Sequence, residues 1–225
     1  MVILWLITLA GLTLSAQTVK PVIIQYAGSA KGKIELVNTT LRPLNVVLEP
    51  MSFTIDVDGN GIYIPLARET HLKLSSTSYR IPPRQSRFVF YEATPETLPS
   101  WFVIYSAFSG AVKQSGVNVR VQIPHTVYVL QKQHLEKQDV AVESFQYFAD
   151  QHRVSILLAN RSPKLGRIVE WQVSSKDNKV VNTGFPLLPL GHRRLEIEWR
   201  SPQPPDVFSV HFEHFTLQKS LHDSQ

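Results

Sequence analysis

Residues 117–130 read Val117-Asn118-Val119-Arg120-Val121-Gln122-Ile123-Pro124-His125-Thr126-Val127-Tyr128-Val129-Leu130. Val117, Val119, Val121 and Ile123 alternate with Asn118, Arg120 and Gln122, the period of two that belongs to a β-strand with unlike faces. Pro124 interrupts, and Val127 and Val129 resume the pattern. A proline has no N–H to give to a ladder, so this strand is expected at a sheet edge or bulged at that point. Its aliphatic side chains either fill the chain's own core or reach toward a partner.

The same alternation runs through the rest of the chain. Ile34 and Leu36 alternate with Lys33 and Glu35. Phe53, Ile55 and Val57 alternate with Thr54 and Asp56, and Asp58-Gly59-Asn60-Gly61 follows as a hairpin turn. Ile62 to Leu66 is the return strand, and Leu72–Leu74 and Arg87–Tyr91 are short strands. Residues 101–108 are apolar almost throughout, as a central strand can be. After the polar segment 131–139 the pattern repeats at 153–158, 168–173, 179–182, 195–199 and 208–217. No helical stripe of 12 or more residues is found. Many short strands punctuated by turns predict an all-β protein of two immunoglobulin-like β-sandwich domains joined at an angle by a short linker.

Length agrees with that division: 225 residues suit two sandwiches of about 100 residues each. Apolar residues make up 43% and charged residues 18%, enough to build real cores and too apolar for wholesale disorder. Met1 to Ala16 carries no charged side chain, and its apolar run is short for a membrane span. With the small residues Ser15 and Ala16 before Gln17, it reads as a secretory signal peptide. The expected organisation is a leader at 1–16, a first domain at 17–132 and a second at 140–220. No membrane span is expected once the leader is removed.

Several chemistries are excluded or unsupported. The chain has no cysteine, which removes thiol catalysis, thiolate metal sites and disulfides. The net charge is +5, but the basic residues are scattered and not interleaved with aromatics, so nucleic acid is not an expected partner. Of eight histidines, His211 and His214 fall on opposite faces of a strand, and no third ligand is in view, so no metal is expected. Asp56, Asp58 and Asn60 lack the distant glutamate of a calcium loop, since position 67 is Ala67. No nucleophile elbow, phosphate loop or dinucleotide fingerprint occurs, and no cofactor or catalytic residue is assigned. Asn38-Thr39-Thr40 and Asn160-Arg161-Ser162 match the glycosylation sequon and also suit ordinary turns. Trp171 and Trp199 read as core residues of the second sandwich.

The order of segments resembles the periplasmic chaperones of chaperone–usher pili. Residues 32–38 are similar to the family's second strand, which ends in Asn. Residues 78–90 resemble its proline turn followed by a Val/Arg strand. Leu98-Pro99-Ser100-Trp101 resembles the Leu-Pro before its sixth strand, and 117–132 resembles its long seventh strand. Residues 158–163 and 187–194 are similar to two turns of its second domain.

The resemblance implies a mechanism. A pilus subunit lacks one strand, and the chaperone lends its own strand to the open groove by β-augmentation. Val117, Val119, Val121 and Ile123 would then be the subunit-binding donors. The family's cleft Arg and Lys, which hold the subunit's terminal carboxylate, map near Val22 or Ile23 and onto Tyr128. Tyr128 is therefore the carboxylate-anchor position, as a neutral donor weaker than a charged one. Lys20 and Lys132 are the alternatives for a charge. The resemblance implies a non-enzymatic periplasmic chaperone that caps secreted pilus or fimbria-like subunits and delivers them to an outer-membrane usher. An exported structural or adhesive sandwich module is the alternative.

Overall fold

The structure is a computed structural model that describes residues 17–110 and 120–221. Met1–Ala16, with the expected leader, and the donor positions Val117 and Val119 lie outside the described residues.

Among the described residues eighteen strands form four sheets, and the two halves of the chain do not share a sheet. The first half holds β1 (Thr18–Lys20), β2 (Ile23–Ala27), β3 (Ala30–Val37), β4 (Leu44–Ile55), β5 (Gly61–Pro65), β6 (Leu72–Leu74), β7 (Ser78–Ile81), β8 (Ser86–Ala93), β9 (Ser100–Gly110) and β10 (Arg120–Leu130). One sheet runs β1-β3-β8-β6. The other runs β2-β10-β9-β4-β5, with β7 also on β4. Ile34 and Leu36 of β3, Val89 and Tyr91 of β8, and Phe102, Ile104 and Phe108 of β9 close the core between them. The apolar run at 101–108 is a central strand as expected, flanked by β10 and β4.

The second half holds β11 (Val140–Phe148), β12 (Arg153–Asn160), β13 (Gly166–Ser174), β14 (Lys179–Thr183), β15 (Pro186–Leu187), β16 (His192–Glu198), β17 (Val207–Phe212) and β18 (Thr216–Ser220). A three-stranded sheet, β11-β12-β16, faces a five-stranded one built on β14-β13-β17-β18. Trp171 and Trp199 both lie in its core. The Trp199 indole N–H donates to the Gln203 carbonyl at 2.8 Å, so the ring is buried without an orphan donor.

The two sequon asparagines do the same job in the two sandwiches. The Asn38 amide donates to the carbonyls of Arg42, Ile81 and Pro82 at 2.8–3.1 Å. Its carbonyl oxygen accepts from the N–H and hydroxyl of Thr40. Asn160 repeats this with the carbonyls of Lys164, Leu187 and Leu188, and with the N–H and hydroxyl of Ser162. Each asparagine is buried and ties the turn after a sandwich's inner strand to a distant loop. Loss of either amide strands several buried carbonyls. Asn38→Ala and Asn160→Ala should each cost about 2–4 kcal/mol, read as a fall in the urea midpoint.

Candidate functional site: an open sheet edge beside an interdomain cleft

The first strand of the chain changes sheets. β1 pairs antiparallel with β3, the chain crosses at Pro21-Val22, and β2 then pairs parallel with β10. This parallel pairing begins at Thr126 and ends at Leu130. On its other side β10 is paired with β9 from Arg120 to Val129. Among the described residues, nothing therefore pairs with the outer side of Arg120–His125.

Backbone geometry says which groups face the open side. The Thr126 N–H donates to the Val22 carbonyl at 2.7 Å, and the Leu130 carbonyl accepts from the Gly28 N–H at 3.2 Å. Even-numbered residues of β10 thus direct their backbone groups away from β9. On the open stretch these are the N–H and C=O of Arg120 and Gln122 and the C=O of Pro124. The proline ring nitrogen faces the open side and costs the β9 ladder nothing. The edge placement expected from Pro124 is what the structure shows, without a bulge.

Side chains on this edge divide by parity. Ile123, His125, Val127 and Val129 face the core of the first sandwich, with Ile123 half-buried against it. Val121, next in the series, is 36% exposed. The aliphatic row thus grades from the chain's own core outward between Ile123 and Val121. Val22 and Ile23, 50% and 44% exposed, add an apolar rim beside the crossing. On the opposite face Arg120 and Gln122 both bond to the Glu49 carboxylate of β4, Gln122 at 3.1 Å. That clamp holds the free strand in line with its sheet.

His125 interrupts the aliphatic row, fully buried. Its Nδ1 lies 2.6 Å from the Pro21 carbonyl, which can only accept, so Nδ1 carries the proton. The neutral ring's Nε2 then accepts from the Tyr91 hydroxyl at 3.1 Å, and Tyr91 accepts from the Tyr26 hydroxyl at 2.9 Å. Burial pushes the His125 pKa below its ordinary 6.5, against the opposing pull of the Pro21 carbonyl. Burial likewise raises the Tyr91 hydroxyl well above its usual range.

The even face of β10 leads to the contact between sandwiches. Tyr128 packs edge-on against Phe53, with ring centroids 6.4 Å apart, in a cluster with Val103, Leu165 and Leu188. Beside it is a cavity of about 130 Å³, lined by Gln25, Tyr128, His134, Arg167 and His214 among others. Burial raises the Tyr128 hydroxyl to about 12, while the Arg167 charge pulls it back down. Arg167, from β13 of the second sandwich, thus places a cation beside the Tyr128 hydroxyl. Lys20 and Lys132 do not line this cavity: Lys20 is in β1 opposite Glu35, in the other sheet, and Lys132 is exposed on the linker. Gln25 is the cross-strand neighbour of Tyr128, and Val22 and Ile23 lie farther along toward the open edge.

A second contact fixes the sandwiches to each other. The hairpin turn after β4 meets the start of β16: the Arg194 N–H donates to the Val57 carbonyl at 2.6 Å, and its guanidinium reaches Asp58 at 3.0 Å. Arg193 lies over the Phe185 ring at 5.0 Å and against Gly59, where a Cβ would collide with the guanidinium. Among the described residues no three metal-ligating side chains converge. The Thr216 hydroxyl is 3.0 Å from His211, and the His214 ring meets His134 edge-on.

Sequence reasoning passed over His125, although it stands in the inward-facing series between Ile123 and Val127. Arg167 carried no signal, because only the meeting of the two sandwiches brings it to Tyr128.

No protein-family model and no curated protein matches the chain. Two immunoglobulin-like sandwiches are the fold of the chaperone–usher fimbrial chaperones, and solved structures of that class match along nearly the whole chain. The E. coli chaperone DraB matches with a TM-score of 0.53 at 13% identity, over 92% of this chain and 97% of that one. A structure of the Salmonella enterica SafA pilin with the SafB chaperone matches with 0.56 at 10% identity, over 92% and 97%. The CsuC–CsuE chaperone–tip adhesion subunit complex from archaic Csu pili of Acinetobacter baumannii matches with 0.55 at 11% identity, over 91% and 98%. The likeness is one of fold.

His125 sets an acid limit. A histidine with a depressed folded pKa adds stability that is present above about pH 6.5 and is lost as pH falls through the folded value. His125→Asn should flatten the drop in melting temperature between pH 7 and pH 5, measured by circular dichroism, relative to the unchanged chain.

Proposed function

We infer that this protein is a periplasmic chaperone that caps fimbria-like subunits by lending them the open edge of β10. One observation carries the reading: Arg120–His125 is hydrogen-bonded to β9 on one side and, among the described residues, to no strand on the other. An unpaired edge with an adjacent apolar side chain is a template for another chain's strand. The subunits' own incomplete sheet is the natural occupant, as the pilin and tip-subunit complexes of the fold neighbours suggest.

On this reading the first unit (17–132) carries the donor strand and the second (140–220) completes the cleft. Backbone groups of Arg120, Gln122 and Pro124 pair with the subunit's strand. Val121 enters the subunit groove, with Val117 and Val119 extending the same row and Ile123 shared with the chaperone's own core. Burying one such side chain contributes about 1.5–3 kcal/mol. The subunit's terminal carboxylate meets the Tyr128 hydroxyl and the Arg167 guanidinium in the cleft, so the anchoring charge comes from the second unit. Delivery to an outer-membrane usher follows from the same role. The protein acts by binding and not by catalysis.

The test is affinity capture of subunits from periplasm with the tagged full chain. Val121→Asp should leave the melting temperature of the free protein unchanged, since Val121 is exposed, and should weaken capture by at least about 30-fold. Ile123→Asp should also lower the melting temperature. Retained capture by Val121→Asp sinks the donor assignment, and absence of any captured β-rich secreted protein sinks the chaperone reading.

A further inference from the structure

The binding scheme makes no use of the hydrogen-bonded trio His125, Tyr91 and Tyr26, yet the trio sits where the open edge stops. The Pro21 carbonyl that His125 holds belongs to the segment by which the chain leaves one sheet for the other. The next residue, Val22, accepts the first rung of the β2–β10 ladder, from Thr126. Room for the trio is built in. Gly32 of β3 has no side chain, and a Cβ there would collide with the Tyr26 hydroxyl and crowd that of Tyr91. The Tyr26 and Tyr91 rings meet edge-on at 6.3 Å, and the Tyr91 and His125 rings at 5.3 Å.

An end to the edge matters because alternation alone does not define a register. A slip of one residue turns every side chain to the wrong face, but a slip of two restores each face. Val121 and Ile123 therefore accept a partner strand equally well at positions two residues apart. Something must stop the partner from running on to Thr126 and Tyr128. β2 covers those residues, and its start is fixed by the crossing segment.

We propose that His125 is a positioning residue, the latch that pins the Pro21-Val22 crossing to β10 and so limits the strand-accepting edge to Arg120–His125 in a single register. The proposal rests on the reading of that edge as the subunit site. Without the latch, the crossing segment peels back, Thr126 and Tyr128 expose their outward backbone groups, and a second register opens.

Amide hydrogen exchange on the full-length protein tests the latch without any partner. His125→Leu should lower the protection factor of the Thr126 amide on the order of 30-fold, with the amides of β3 and β8 unchanged. His125→Asn, whose side-chain amide can still donate to the Pro21 carbonyl, should restore most of that protection, which general loosening of the core would not. If His125→Leu does not fold, Tyr91→Phe frees Nε2 alone and should lower Thr126 protection about fivefold. Unchanged Thr126 protection, or a fall spread over β3 and β8 that His125→Asn does not reverse, overturns the latch.

Capture is scored separately, with the subunit recovered from periplasm as probe and cross-linking to report which residue of its strand lies beside Gln122. One cross-link for the unchanged chain and two for His125→Leu support the register role, and one for both overturns it. If the unchanged chain captures nothing while Thr126 responds as expected, the subunit-site reading fails and the latch stands as a property of the strand crossing.

Discussion

The structure turns on a change of partner by one short strand. Between Lys20 and Ile23 the chain leaves the sheet of β3 and joins that of β10. Because β2 is five residues long, it covers only the lower half of an eleven-residue strand. A sandwich whose first strand ran the full length of β10 would have no free backbone there. The incomplete cover is matched by local choices that keep the edge orderly in water. Pro124 places its missing donor on the exposed side, Arg120 puts charge on the strand, and Glu49 holds Arg120 and Gln122 flat against the sheet.

Among the described residues two contacts between the sandwiches stand out. One is the apolar cluster around Tyr128 and Leu165. The other is the hairpin turn at Val57–Gly59, gripped by Arg193 and Arg194. Burial holds the Arg193 pKa below its ordinary value, although Asp56 and Asp58 oppose that pull, so this cation has given up water to lie between an aromatic ring and a glycine. An arginine stacked in this way loses little side-chain freedom beyond what its planar head already lacks. The contact brings a cation of one unit to the hydroxyl of the other, and the cleft is a product of both units.

Much of the fold was legible because β-alternation is local. Phe53, Ile55 and the Asp58-Gly59-Asn60-Gly61 turn defined a hairpin that the structure contains, and Pro124 marked an edge. Tryptophans 171 and 199 were readable as core from their polar neighbours. The site was legible only in part. Val121 is exposed on the strand and Ile123 leans into its own core, two fates that the alternating pattern left open because periodicity cannot tell them apart. The cation at Tyr128 was sought at Lys20 and Lys132, near in sequence to the strands involved. The cation the structure places beside Tyr128 is Arg167, 39 positions away, since contact across two domains leaves no trace in local spacing. The histidine of the latch was hidden for another reason: next to a proline it reads as a break in the aliphatic row, whereas the row continues through it.

The two buried asparagines also bear on where this chain can be made. Each heads an Asn-x-Ser/Thr triplet, and each spends its side-chain nitrogen on three carbonyls inside the molecule. An oligosaccharide transferred to that nitrogen during synthesis would occupy the space those carbonyls need. A eukaryotic secretion host, which modifies such triplets before folding is finished, would therefore yield chains unable to close either half, while a host without that transferase meets no such obstacle.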